Sequence, residues 1–139
     1  MRTDGSRLHH VVFAVAAERQ ADVARMFTEL GFTFNSAELT ELGVTVQLDW
    51  EGGLELISPI PGSTASVALS VNDFLASHGD GVYTVVLQVP DAAAAEAVTD
   101  RYGAVTRFRQ GFSGDGSYLD EIDLSVFNLP ITLLATNVT

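Results

Sequence analysis

The sequence LHHVVFAV at residues 8–15 returns half a chain later as VYTVVLQV at residues 82–89, and a helix-like stretch follows each copy. Apolar side chains occupy both alternating positions of each string, which is typical of a strand that is buried on both faces. The duplication therefore predicts a fold built from two similar modules. The copies differ at a position where chemistry could take place, because His10 of the first corresponds to Thr84 of the second.

The same order of elements follows each copy. In the first module, residues 18–30 have apolar side chains at helical spacing, and Gly31 stands where a helix commonly ends. In the second module, Pro90 is placed to begin a helix that Gly103 ends. Later strands are predicted at residues 32–38, 44–50 and 54–57, and again at residues 105–108, 118–124 and 129–135. We therefore predict an α+β protein of paired βαβββ modules.

The predicted modules belong to a single domain that covers residues 1–139. Module one spans about residues 7–58, a linker spans residues 59–81, and module two spans about residues 82–136. We expect a short helix at residues 70–77 of the linker. The glycine-rich segment 110–117 predicts a mobile loop.

Composition excludes several classes of function. The chain has 18 acidic and 7 basic residues and a net charge of −11, which argues against nucleic acid or an anionic membrane as a partner. No apolar run approaches the ~20 residues that span a bilayer, and residues 1–7 contain no signal-like apolar stretch, so we expect a cytoplasmic protein. The chain has no cysteine, which excludes disulfides and thiol chemistry. The predicted partner is a small molecule, and no organic cofactor is expected.

Two pairs of carboxylates are predicted to share a sheet face. A three-residue turn at residues 51–53 would pair Trp50 with Leu54 and Asp49 with Glu55, about 5 Å apart. The same alternation puts Glu121 beside Asp123. Neighbouring carboxylates repel each other unless they are solvated or share a proton or cation. With His10 they could hold a hard divalent cation, but the residues alone favour a solvated face.

Three strings of the sequence resemble a known superfamily: HVVFAV, GLELISP and NDFLASHGDGVYTVVLQVPD. They are similar to the vicinal oxygen chelate superfamily, also called the glyoxalase and bleomycin-resistance fold, and most to the methylmalonyl-CoA epimerase family. The resemblance covers nearly the whole chain. It implies paired modules that curve into an incomplete barrel, with a metal held by one pair of side chains from each module. We also expect a homodimer.

The resemblance also implies where the metal ligands would fall. The first ligand position falls on His10 and the second on Glu55, whereas the third falls on Thr84 and the fourth on Thr132. Two of the four ligand positions are therefore threonines, which are poor, neutral ligands. The resemblance then implies a divalent metal that is weakly held or absent, unless Asp49, Glu121 or Asp123 supplies a replacement ligand.

The leading functional expectation is a small-molecule enzyme of glyoxalase type. It would be an isomerase, epimerase or lyase that acts alpha to the carbonyl of an acyl-CoA or a 2-oxo compound, with His10 and Glu55 as the catalytic pair. A weakly held metal, or hydrogen bonds from Thr84 and Thr132, would stabilise the enolate. The other residues expected to contact the ligand are Gln88, Arg107 and Arg109.

Two alternatives remain open at this point. One is a metal-free, drug-resistance-like protein that sequesters a ligand, for which the acidic charge would suit a cationic antibiotic. The other is a member without activity that serves in dimerisation or regulation. Arg107 and Arg109 could clamp a carboxylate or the phosphates of coenzyme A, or form solvated pairs with nearby acids. Trp50 is expected to pack in a core or at a dimer contact.

Overall fold

The computed structural model of the protein describes residues 5–139, which form eight strands and three α-helices. The strands are β1 (Arg7–Ala14), β2 (Asn35–Leu39), β3 (Val44–Asp49), β4 (Leu54–Pro59), β5 (Gly81–Gln88), β6 (Val105–Gly114), β7 (Ser117–Val126) and β8 (Leu129–Thr136). The helices are α1 (Gln20–Glu29), α2 (Ser66–His78) and α3 (Ala92–Asp100), and a 3₁₀ turn (Ala17–Arg19) precedes α1. The order βαβββ thus occurs twice, which confirms the predicted α+β class.

The chain divides into two compact units. The N-terminal unit contains His10–Tyr83, and the C-terminal unit contains residues 84–139 together with the described residues before His10. In the N-terminal unit the strands lie in the order β2-β3-β4-β1, with β1 parallel to β4 and the other pairs antiparallel. In the C-terminal unit the order is β5-β8-β7-β6, with β5 parallel to β8. The repeated sequence therefore gives a repeated strand arrangement.

Both faces of the N-terminal sheet are used. Val12 of β1 lies opposite Glu55 of β4, and alternation places His10 on the same face. On the other face, the ring of Phe13 stacks on Phe27 of α1 with centroids 6.0 Å apart. Helix α1 therefore covers one face of the sheet, and the polar pair lies on the opposite face.

The predicted register of the β3–β4 hairpin is wrong. Leu48 lies opposite Glu55, and Asp49 lies opposite Leu54, so the connecting turn has four residues, Trp50–Gly53, rather than three. A register shift of one residue moves every side chain of a strand to the opposite face of the sheet. Glu55 therefore shares a face with Leu48 and not with Asp49. The predicted pairing would follow if the apolar side chains of both strands shared one face, but β4 is buried on both sides, with Leu56 at 0% and Ile57 at 7% exposure.

Asp49 stabilises this turn through hydrogen bonds and is not paired with Glu55. Its Oδ1 accepts a hydrogen bond from the Gly52 amide at 2.7 Å, and its Oδ2 accepts one from the Thr33 amide at 3.0 Å. These amides stabilise the ionised carboxylate and lower the pKa of Asp49 below its ordinary value. The side chain predicted as an extra metal ligand is thus committed to the backbone of the hairpin.

We expect Asp49→Ala to lower the free energy of unfolding, because two amides lose their acceptor. A carboxylate with a lowered pKa stabilises the folded state above its unfolded pKa, and that contribution is lost as the pH falls through the folded pKa. The difference between wild type and variant should therefore be largest at neutral pH and should shrink below pH 3.8. Urea unfolding of wild type and variant, at neutral pH and below pH 3.8, measures this difference. Asp73→Ala is the control, and a deficit independent of pH would contradict the prediction.

The core of the C-terminal unit lies between its sheet and α3. Its buried residues contact one another and are Ala92, Ile122, Leu124, Val126, Leu133 and Ala135. The carboxylate of Asp91 accepts a hydrogen bond from the Ala94 amide at 3.0 Å and so caps the start of α3. The cap explains why α3 begins at Ala92, two residues after the Pro90 that predicts its start.

The glycine-rich segment at residues 110–117 is not the predicted loop. Strand β6 runs to Gly114 and pairs with β7 from Ser117, so only Asp115 and Gly116 form the turn. Gly111 lies opposite Asp120, and a Cβ at Gly111 would lie 2.7 Å from Asp120 Oδ1. Glycine in this strand therefore allows close approach of the neighbouring side chain.

Helix α2 occupies much of the predicted linker and is longer than the expected helix at residues 70–77. Its Ala68 and Val71 are fully buried, which explains why it forms despite the surrounding turn residues. Within residues 5–139, none of the helices has the length and apolar character needed to cross a membrane.

Candidate functional site

The N-terminal unit brings His10 and Glu55 together, as predicted. The imidazole Nε2 lies 3.2 Å from the carboxylate Oε1. The side chain of His10 is 4% exposed, whereas that of Glu55 is 18% exposed. A carboxylate fixes which imidazole nitrogen has the proton, and it stabilises the imidazolium. The pair can therefore move a proton, and its carboxylate is the member more accessible to a ligand.

Trp50 lies beside this pair. Its ring centroid is 6.2 Å from that of His10, and the two planes are tilted by 43°. The interpretation of Trp50 as a core or dimer residue missed this contact. The hairpin register could have revealed it, because Trp50 follows Leu48 by two residues and Leu48 shares the face of Glu55. The N-terminal unit therefore places an imidazole, a carboxylate and an indole close together.

The C-terminal unit has threonines at the two positions that the resemblance assigned to metal ligands. The hydroxyls of Thr84 and Thr132 are hydrogen-bonded to each other at 3.0 Å, and both residues are 5% exposed. Asp123 lies opposite Thr132 on the neighbouring strand, and the Thr132 hydroxyl acts to lower the pKa of the Asp123 carboxyl. Two hydroxyls and a carboxyl group thus come from the adjacent strands β5, β8 and β7.

Asp123 is a mostly buried carboxyl group, with a side chain that is 15% exposed. Burial raises the pKa of its carboxyl above the ordinary value, although the Arg107 guanidinium and the Thr132 hydroxyl both act in the opposite direction. Arg107 Nη2 lies 2.6 Å from Asp123 Oδ1. From the sequence, Asp123 is expected only as a replacement metal ligand beside Glu121. Its alternation in β7, opposite Thr132, was the signal that could have given it more weight.

The arginines predicted to contact a ligand are paired with acids inside the C-terminal unit. Arg107 binds Asp123, and Arg109 binds Glu96 through both of its terminal nitrogens. The hydrogen bond from Arg109 is the largest cause of the lowered pKa of Glu96. Of the two interpretations that were left open, these contacts support pairs with nearby acids.

Two further predicted residues lie on the sheet of the C-terminal unit. Gln88 donates from Nε2 to the Thr136 carbonyl at 3.5 Å, and its Oε1 is buried without a hydrogen-bond partner among the described residues. Glu121 accepts a hydrogen bond from Gln110 Nε2 at 2.9 Å. Their predicted roles in ligand and metal binding stay predictions.

The residues present do not fit the metal site that the resemblance implies. In the stretch from Gly5 to Thr139, no group of three or more His, Cys, Asp or Glu side chains is arranged to hold a metal ion. Asp49 is engaged by two amides, and Thr84 and Thr132 satisfy each other. A divalent cation prefers six or more oxygen ligands or several strong donors, and these side chains do not supply them. We therefore derive no chemical step through a metal.

The element order and strand pairing define the class of fold as the glyoxalase-like α+β fold, as predicted. Solved structures share it at low sequence identity. A hypothetical protein from Bacillus halodurans has 14% identity and a TM-score of 0.70, over 96% of each chain. A variant of methylmalonyl-CoA epimerase from Streptomyces coelicolor, in complex with 2-nitronate-propionyl-CoA, has 19% identity and a TM-score of 0.67, over 97% of this chain and 100% of that chain.

A third structure is a variant of 4-hydroxymandelate synthase from Streptomyces coelicolor, with 17% identity and a TM-score of 0.67, over 100% of this chain and 51% of that chain. These neighbours are consistent with the vicinal oxygen chelate superfamily that the sequence resembles. No protein-family model matches the chain, and no curated protein is significantly similar to it. At such identities the similarity establishes the fold alone.

Proposed function

We propose that the protein is an enzyme of glyoxalase type that transfers a proton at the carbon alpha to a carbonyl, in an acyl-CoA or a 2-oxo compound. The observation that carries the proposal is the 3.2 Å contact between His10 Nε2 and Glu55 Oε1. A carboxylate that is oriented by an imidazole and still reaches solvent is suited to general base catalysis. The glyoxalase-like fold and the epimerase among its structural neighbours support the same reaction class.

Glu55 is the base in this mechanism. The ionised carboxylate only accepts hydrogen bonds, so His10 donates from Nε2–H to Oε1. This contact fixes one carboxylate oxygen and leaves Oε2 to take the proton from the alpha carbon. The electron pair of the broken C–H bond moves to the carbonyl, which gives an enolate. Return of a proton from Glu55 to the same face of the same carbon restores the carbonyl compound with its original configuration, and exchange of the carried proton with solvent labels the alpha carbon.

The experiment is deuterium exchange at the alpha carbon, followed by proton NMR in D₂O with a panel of acyl-CoA thioesters and 2-oxo acids. The wild type should accelerate exchange of at least one compound over buffer. His10→Phe, which keeps a ring but removes the donor, should lower the rate by about 10²-fold because the carboxylate loses its orientation. His10→Gln retains an N–H donor and should recover part of the rate.

His78→Phe is the matched control, because His78 is exposed on α2 and its ring stacks on Phe74. It should exchange substrate at the wild-type rate. An unchanged rate in His10→Phe, or no acceleration of any compound by the wild type, would remove the proposed function. The expected homodimer, single domain and cytoplasmic location stay predictions.

Ligand sequestration without chemistry is the second candidate. The C-terminal unit favours it, because Thr84 and Thr132 are neutral and bound to each other where the resemblance implies metal ligands. The net charge of −11 suits a cationic ligand. Micromolar binding of a cationic antibiotic in calorimetry, without acceleration of exchange for any compound, would support this candidate over the enzyme.

A further inference from the structure

An apolar strip borders the His10–Glu55 pair in the N-terminal unit. Leu48 lies directly opposite Glu55 on β3, and the ring of Trp50 lies 6.2 Å from the ring of His10. Both apolar side chains are partly exposed. A ligand that places its reacting carbon at Glu55 would therefore have this strip beside it.

The turn that bears Trp50 is held in place by its own hydrogen bonds. Asp49 accepts from the Gly52 and Thr33 amides, and the Asp49 carbonyl accepts from the Gly53 amide at 2.9 Å. Gly53 has φ 80°, a conformation that glycine adopts without strain. A site gains selectivity when its contacting groups sit on rigid elements. The backbone that bears the indole is thus held in place before any ligand arrives.

The chemistry of the strip selects between two groups that an indole can bind. A cation that stacked on the ring would be desolvated against Leu48, which offers no polar atom, while the Glu55 carboxylate opposite Leu48 is occupied by the reacting carbon of the ligand. A flat apolar ring would gain contact with both side chains and lose no hydration of charge. The strip therefore favours an aromatic group over a charged one.

We infer that the protein acts on substrates with an aryl group on the reacting carbon, and that Trp50 is the residue that selects this group. The inference deepens the proposed function and rests on it for the position of the reacting carbon. An aryl substituent also delocalises the charge of the enolate, so the group that the strip binds makes the same proton easier to remove. The substrate class is an arylacetyl thioester or a related arylated carbonyl compound.

The experiment compares two thioesters that differ in the substituent on the alpha carbon: phenylacetyl-CoA and propionyl-CoA. Isothermal titration calorimetry of the wild type should give an affinity for phenylacetyl-CoA that is about tenfold higher than that for propionyl-CoA. A difference of this size is expected from one aromatic contact and the apolar area that it buries. Trp50→Leu should reduce this ratio to about one, and Trp50→Phe should retain most of it. Tyr102→Leu, at an exposed aromatic residue of the C-terminal unit, should leave the ratio unchanged.

The propionyl-CoA affinity of Trp50→Leu shows whether that variant keeps its binding site, and Trp50→Phe tests the inference with an aromatic ring present. Equal affinities in the wild type, binding of neither thioester at millimolar concentration, or an unchanged ratio in Trp50→Leu would overturn the inference. The affinity ratio and the exchange rate are separate readouts. A preserved ratio without exchange overturns the proposed reaction and leaves only aryl-selective binding by Trp50, whereas exchange without a ratio overturns only the aryl selectivity.

Discussion

Replacing Glu55 by glutamine is expected to lower the rate of alpha-proton exchange by about 10²–10⁴-fold, the usual contribution of a positioned general base. The amide is nearly isosteric with the carboxylate and can still accept a hydrogen bond from His10, so the sheet should be little disturbed. It cannot take a proton at neutral pH. Exchange of the best compound of the panel, measured at saturating concentration, gives the effect.

Two further variants make this prediction specific. Glu55→Asp keeps a carboxylate on a shorter side chain and should retain more activity than Glu55→Gln. Glu51→Gln removes an exposed carboxylate from the adjoining turn and should leave the rate unchanged. Equal rates in wild type and Glu55→Gln would show that another group takes the proton.

Leu56→Ala is expected to lower the free energy of unfolding by about 2–5 kcal/mol, the range for removing a buried leucine side chain. Leu56 is 0% exposed and lies on β4, on the face opposite Glu55. The lost contacts and the remaining cavity both contribute to the deficit. Urea unfolding monitored by circular dichroism measures it.

Two control variants separate the effect of side-chain volume from the effect of burial. Leu56→Met keeps most of the volume and should cost less than about 1.5 kcal/mol. Leu30→Ala removes the same atoms from a side chain that is 68% exposed, and it should change stability by at most about 0.5 kcal/mol. A deficit for Leu56→Ala no larger than that of Leu30→Ala would mean that β4 is not part of a packed core.

The sequence was sufficient to predict the elements with strong local signals. The repeated strings gave β1 and β5, and Gly31 and Gly103 stand after α1 and α3 with φ of 112° and 86°, as a helix-ending glycine requires. The hairpin register could not be obtained in the same way. It depends on hydrogen bonds that one amide of the turn and one amide before β2 donate to the side chain of Asp49, and no periodic pattern reports such contacts.

Strand β6 shows a second limit of local patterns. Its glycines predict a loop, but the pairing with β7 continues through Gly111. Glycine at this position leaves room for the Asp120 side chain, which a larger residue would meet. The cross-strand neighbour Asp120, which does not adjoin Gly111 in the sequence, favours glycine at this position. Tertiary context therefore overrode the local preference of glycine for turns.

The candidate site was predictable in part. His10 and Glu55 were assigned by resemblance, and the structure places them in contact. Trp50 was missed because its position beside His10 follows from the four-residue turn that the register prediction lacked. Asp123 received little weight because desolvation by packing, the main cause of its raised pKa, cannot be obtained from the residues of one strand.

The lone indole has an optical consequence. Trp50 is the one tryptophan of the chain. Fluorescence that is excited selectively at tryptophan therefore originates next to the imidazole of His10. Emission intensity and wavelength then respond to what enters or leaves that neighbourhood, with no tryptophan background from elsewhere. The molecule thus contains a label-free reporter, and rapid-mixing fluorescence can resolve arrival of a compound as a separate kinetic phase.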